Sequence, residues 1–173
     1  MKNLKAFTGT GKTINVIVET PKGSTNKYIY DEEHDCLKLK KVMPTGTLFP
    51  YDFGMIPQTK GEDGQALDVL ILMDHPAFPG LMVECYVIGI IEAKQKDETS
   101  KSYFRNDRLI AVATQSVIYK HIESIDDVPE KQIDEIVRFF EYYNEMQGRK
   151  FKFLGIKDAN AAMKLIKKNI ASK

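Results

Sequence analysis

Two hydrophobic periods divide this chain, and their order limits the folds open to it. Apolar residues alternate or run continuously over short segments through residue 113. Helical spacing appears only beyond Asp127. Ile14-Asn15-Val16-Ile17-Val18-Glu19 predicts a strand closed by Thr20-Pro21-Lys22-Gly23-Ser24. Lys27-Tyr28-Ile29-Tyr30 and Cys36-Leu37-Lys38-Leu39-Lys40-Lys41-Val42 predict a hairpin. The continuous run 69–72 suits a fully buried strand. The longer run 82–93 holds Gly89, a candidate bulge of the kind that closes a barrel. Lys94 to Lys101 predicts a charged loop, 108–113 a further strand and Phe151-Lys152-Phe153 a short one. Asp127-Val128-Pro129-Glu130 has capping-box spacing, and Ile133, Ile136, Val137, Phe140 and Tyr143 follow at helical intervals to Gly148. Asp158 is the N-cap expected for a last helix through Ile170, with Ala162, Leu165 and Ile166 inward. Strands first and helices last predict an α+β fold: a twisted antiparallel barrel with helices on one side.

At 173 residues the expectation is a single domain, 1–173, with 1–13 as a flexible extension. The 25 basic and 24 acidic residues give a net charge of +1, which offers no electrostatic case for nucleic acid. No apolar run approaches a bilayer span, and residues 1–7 lack an apolar core of signal-peptide length, so a cytoplasmic protein without a membrane partner is expected. Cys36 and Cys85 lack CxxC spacing and are expected as two buried free thiols.

Chemistry concentrates in Glu62-Asp63-Gly64-Gln65-Ala66-Leu67-Asp68. Asp63 falls on a tight Gly turn and Asp68 at the mouth of the buried strand. A carboxylate at the edge of a core is hydrogen-bonded, paired or metal-bound. From the residues alone, Asp63 reads first as a turn cap and Asp68 as a hydrogen-bonded strand end. A pair of carboxylates also holds Mg²⁺ against phosphates. Lys27, Lys41 and Arg108 by themselves are ordinary surface charges, and Tyr143 continues an apolar helix face. The rings of 49–53 suit wall packing, or base stacking if exposed.

The order of motifs narrows these alternatives. Val18-Glu19-Thr20-Pro21, Asn26-Lys27-Tyr28, Phe49-Pro50-Tyr51-Asp52-Phe53-Gly54, Asp63-Gly64-Gln65-Ala66-Leu67-Asp68-Val69, Phe78-Pro79-Gly80, Asp107-Arg108-Leu109-Ile110-Ala111-Val112 and Phe139-Phe140-Glu141-Tyr142-Tyr143 follow one another. In this the chain resembles the soluble, single-domain, Mg²⁺-dependent inorganic pyrophosphatases from about Ile14 to its end. The resemblance implies an OB-like five-stranded antiparallel β-barrel with flanking helices, homo-oligomers, and hydrolysis of pyrophosphate by metal-activated water. It places Mg²⁺, or Mn²⁺ in its stead, on Asp63, Asp68 and Asn106, with Asp52 and Asp97 as further candidates and Glu19 behind them. It gives pyrophosphate or a related phosphoanhydride to Lys27, Lys41, Arg108 and Tyr143, and catalysis to the Gln65 position, Asp68 and Tyr143. Lys150 matches a peripheral lysine.

The departures from the family pattern matter as much. Ile29 stands for a metal-site Glu, Gln65 for the Asp that serves as base, Asn106 for a metal-ligand Asp, Lys41 for an Arg, Phe49 and Phe53 for two Tyr, and Asn144 for a phosphate-binding Lys. Three negative charges are gone, and Gln65 takes no proton. A weakened or retargeted hydrolase is expected, with a catalytically inactive homologue that binds phosphate, Mg²⁺ or a protein partner as the alternative.

Overall fold

The computed structural model describes residues 4–9, 11–97 and 102–170. Its strands are β1 (Ile14–Thr20), β2 (Asn26–Asp31), β3 (Cys36–Val42), β4 (Asp52–Met55), β5 (Asp68–Leu72), β6 (Met82–Lys96), β7 (Phe104–Arg105), β8 (Arg108–Ala113) and β9 (Lys150–Asp158). The helices are α1 (Glu130–Glu145) and α2 (Ala159–Lys168). Strands β1, β4, β5, β8 and β6 pair in that order, and β6 returns to β1 through Ile14↔Cys85 to Ile17↔Met82, closing a five-stranded OB-like ring. The ring is antiparallel except where β5 and β8 run parallel. A parallel pair needs a long crossover, and β6 lies within it.

Both faces of β5 and β8 are covered, which explains their unbroken apolar runs. Leu70, Leu72, Ile110 and Val112 join one core cluster with Phe49, Phe53, Ile133, Ile136 and Phe140. Val69, Ile71, Leu109 and Ala111 join the other with Ile14, Val16, Ala162 and Ile166. The helices therefore cover opposite faces of these strands and do not share one side, because each amphipathic helix has a single stripe to bury. The segment before β1, expected as an extension, is tied down where it is described: Ala6 is buried and its carbonyl accepts from the Asn15 amide at 2.9 Å. Residues 1–3 and 10 of that extension, and 98–101 of the charged loop, lie outside the described residues. The part of that loop nearest β6 belongs to the strand, which continues to Lys96.

Gly89 lies at a register shift against β8. A Cβ there would come within 2.7 Å of the Ile125 Cβ and 2.9 Å of the Lys157 carbonyl oxygen, so only glycine lets these segments meet. The expected capping box sits one turn upstream. Ser124 caps a short 3₁₀ turn, accepting from Asp126, and Asp127 accepts from Glu123 and Ser124. Pro129 forces Val128 into an extended conformation and begins α1 without a side-chain cap. Asp158 caps α2 as expected, accepting from Ala161 at 2.8 Å.

Cys85 is buried but Cys36 is exposed at the start of β3. Phe49 and Phe53 are almost fully buried, so they pack the core and offer no surface for stacking bases. Among the described residues strand β9 pairs only with β6, along one edge; a register shift between Glu92 and Ala93 faces Gly155. No helix among the described residues is long and apolar enough to cross a membrane.

Candidate active site

A cleft of about 830 Å³ opens at the end of the ring where β5 and β8 begin. The separate β2–β3 hairpin forms its far side. Side chains, as well as contacts of the strands, hold that hairpin to the ring. The Glu19 Oε1 accepts the Tyr30 amide at 2.6 Å, and the Thr20 hydroxyl accepts from the Tyr28 amide at 3.0 Å.

The acidic wall is built on the ring. Gly64, at φ 79°, allows a turn no other residue adopts freely. The Asp63 Oδ1 accepts the Gln65 amide at 3.0 Å within this turn. Asp63 therefore caps its loop and lines the cleft at once. Burial raises the pKa of its carboxyl, the Gln65 amide opposes that, and the Asp68 charge adds to it. Asp68 and Arg108 are the first residues of parallel strands in the register Val69↔Leu109, which brings them side by side on one face. Their salt bridge is 2.8 Å. Arg108 is buried, with its guanidinium carbon 4.9 Å from the Phe140 ring centroid. The same Nη1 that meets Asp68 donates to the Asn106 side-chain oxygen and to the carbonyls of Asn106 at 3.1 Å and Asp107 at 3.0 Å. Asn106 in turn donates to the Gln95 Oε1 at 3.0 Å.

Glu19 lies behind this wall, buried, and its pKa is pushed up to about 7. Burial is the main cause, the Tyr30 amide opposes it, and Asp68 and Lys27 act in opposite directions. It makes a backbone hydrogen bond and no ion pair among the described residues.

The basic wall is carried by the hairpin and the segment after α1. Lys27 and Lys41 stand directly opposite each other across β2 and β3. Both reach the Tyr143 ring, with Nζ 5.5 Å and 4.9 Å from its centroid, and Lys27 lies 4.5 Å from that of Phe53. Like charges in direct cross-strand pairs repel. The Lys41 pKa is lowered to about 8 by burial first, then by Arg149, Lys27 and Lys40. No carboxylate pairs with Lys27 or Lys41 among the described residues, so this wall is a ready receptor for an anion.

Of the sequence candidates, Glu19, Lys27, Lys41, Asp63, Gln65, Asp68, Asp97, Asn106, Arg108 and Tyr143 all line the cleft. Asp52 does not. Its carboxylate is almost fully buried and accepts the Ala77 amide at 2.9 Å and the Lys22 amide at 3.4 Å, fastening two loops to β4. Asp107, adjacent to Asn106, likewise turns away, to the Ala93 amide and Arg105. Asn144 is buried and donates back to the Phe140 carbonyl at 2.7 Å. Arg149 was missed by sequence reasoning. It lines the cleft and its Nε meets Asp97 at 2.8 Å. The signal was the Lys96↔Lys150 pairing of β6 with β9, a long-range register that no local pattern displays.

Asp63 and Asp68 form no ligating group with a third carboxylate among the described residues. Asp31, Glu33 and His34, at the hairpin tip, do lie within 4.8 Å of one another, and Asp31 is already paired with Lys38 at 2.5 Å and with His34 at 3.2 Å. The donor set of the cleft thus does not fit the several-metal site that the resemblance implies: Asp68 and Asn106 are turned onto Arg108 and Asp97 onto Arg149.

The closed OB-like ring thus carries a cleft with facing acidic and basic walls. The inorganic pyrophosphatase family model matches residues 16–173. The inorganic pyrophosphatase of Thermus thermophilus is 36% identical over 177 residues, covering 99% of this chain and 98% of that protein. That of Saccharolobus solfataricus is 37% identical over 163 residues, covering 92% and 91%. The crystal structure of inorganic pyrophosphatase from Thermus thermophilus superposes with a TM-score of 0.88 at 34% identity, over 98% of this chain and 95% of that one. The chain belongs to the inorganic pyrophosphatase family, a family of metal-dependent phosphoanhydride hydrolases.

Proposed function

We propose that this protein binds pyrophosphate in the cleft and hydrolyses it to phosphate with reduced turnover. The observation that carries this reading is the pair Lys27 and Lys41, without a carboxylate partner among the described residues and converging on Tyr143 opposite Asp63 and Asp68. Lys27, Lys41 and Arg149 supply positive charge to the phosphoryl oxygens, and the Tyr143 ring fixes where the two ammonium groups stand. Gln65 hydrogen-bonds and orients an attacking water without taking its proton, as glutamine does in some GTPases. The loss of a general base lowers turnover by about 10²–10⁴-fold. A single Mg²⁺ would be held by Asp63, which no arginine pairs with among the described residues, and would supply charge and a more acidic water there.

The engagement of Asp68 and Asn106 by Arg108 favours a second reading, a family member that binds pyrophosphate and does no chemistry. Phosphate release from pyrophosphate over a series of Mg²⁺ and Mn²⁺ concentrations decides between them, with the Asp63→Asn/Asp68→Asn double variant as blank. Release above the blank is expected. Release equal to the blank, with pyrophosphate still bound in calorimetry, establishes the second reading; no binding either sinks both.

A further inference from the structure

Arg108 does more than balance one carboxylate. Four oxygens surround its Nη1: the Asp68 carboxylate at 2.8 Å, the Asn106 side-chain oxygen, and the main-chain carbonyls of Asn106 at 3.1 Å and Asp107 at 3.0 Å. A guanidinium nitrogen of this kind has two hydrogens to give. The oxygens therefore outnumber the donors, and carboxylate, amide and main-chain oxygens drawn around one positive centre are the ligand types of a hard cation. The guanidinium is fixed there. Its backbone opens a strand paired on both sides, its side chain is buried, and Phe140 covers one face of the fork. Its Nε is buried and has no hydrogen-bond partner among the described residues, a donor left unsatisfied while Nη1 is crowded with acceptors. Arg149 treats Asp97 in the same manner with Nε at 2.8 Å, though half exposed.

We propose that the Arg108 guanidinium is a built-in cation at the oxygens of Asp68, Asn106 and Asp107. It excludes a divalent ion from that position and leaves the cleft to take pyrophosphate as a bare anion, with fewer metal ions than the family pattern implies. The proposal rests on the reading of the cleft as a pyrophosphate site. It accounts for three departures together: with an arginine in place, a carboxylate at Asn106 is not needed to attract metal, and the neutral Ile29 and Gln65 avoid adding charge that no ion would offset.

Manganese binding, read from the electron paramagnetic resonance of free Mn²⁺, tests this on the wild type, Asp68→Asn, Arg108→Met and the double variant. The hairpin-tip group is common to all four and cancels in the comparison. Asp68→Asn is expected to bind Mn²⁺ as the wild type does. Arg108→Met is expected to gain a site about tenfold tighter, which the double variant loses. A wild type whose Mn²⁺ binding falls about tenfold on Asp68→Asn overturns the proposal. So does an Arg108→Met protein that is folded by circular dichroism and binds no tighter. If Arg108→Met does not fold, the wild-type and Asp68→Asn pair decides. In calorimetry with chelator, wild-type protein is expected to bind pyrophosphate within about tenfold of its affinity in Mg²⁺; binding that disappears with chelator overturns the anion half. Phosphate release enters none of these readouts, so loss of turnover and loss of this inference are told apart.

Discussion

The two walls of the cleft differ in what supports them and in how far their charges are satisfied. The acidic wall stands on the closed ring, where Asp68 and Arg108 are locked by parallel register, and its carboxylates at 68 and 97 already hold arginines. The basic wall stands on a two-stranded hairpin, a structure marginal by itself, and its two lysines face each other with no carboxylate between them among the described residues. Two carboxylates of the acidic wall are thus paired with arginines, while the basic wall keeps two lysines without a described carboxylate partner.

The largest expected effect tests the acidic wall. Gln65→Asp should raise phosphate release about 10²-fold if the missing base is what limits turnover. An unchanged rate would show that the wall differs by more than one residue. The basic wall comes next. The Lys27→Ala/Lys41→Ala double variant should weaken pyrophosphate binding about 10²-fold in calorimetry, since hydrogen bonds to charged groups contribute roughly 1.5–3 kcal/mol each. Its urea midpoint should not fall, because a repulsive pair has been removed.

Glu19 joins the walls, and its protonation gives a stability test. Its pKa is about 7 in the fold against 4.5 ordinarily. The folded state then holds the proton more tightly, so this group's contribution is fully present below pH 4.5 and is lost as pH rises through 7. Urea unfolding at pH 5 and pH 8 should show a difference on the order of 2 kcal/mol that Glu19→Gln removes.

The smallest effect belongs to Arg149. Arg149→Ala should weaken pyrophosphate binding roughly threefold, as an exposed charge contributes little. It should also raise the Lys41 pKa from about 8 by removing a neighbouring cation. Wild-type affinity should fall as pH rises from 7 to 9, because Lys41 loses its proton in that window. Arg149→Ala should move this limb to higher pH, and Lys41→Arg should flatten it.

The ring, its bulge at Gly89, and both helices were legible because apolar period and turn chemistry are local properties. So was the Asp63-Gly64 turn leading into a buried strand. Which face a residue takes within irregular chain was not. Asp52 looked like a carboxylate for the cleft, yet it serves two loop amides, and only the approach of residues 22 and 77 shows it. Partners across long-range registers were hidden in the same way: Asp68 is 40 positions from Arg108 and Asp97 52 from Arg149, and each is placed by strand pairing. The cap expected at Asp127 lies instead at Ser124, because Pro129 holds Val128 in an extended conformation that a helix begun at Asp127 would not allow.

The second edge of β9 has a consequence for the protein in a crowded solution. A strand edge with no described partner, on a strand carrying Phe153, Leu154 and Ile156, each more than a third exposed, is a template onto which another chain can add. Here Lys150, Lys152 and Lys157 punctuate it, and Gly155 at φ 148° breaks its pleat midway. The strand therefore offers no long flat stretch on which fibre growth could start.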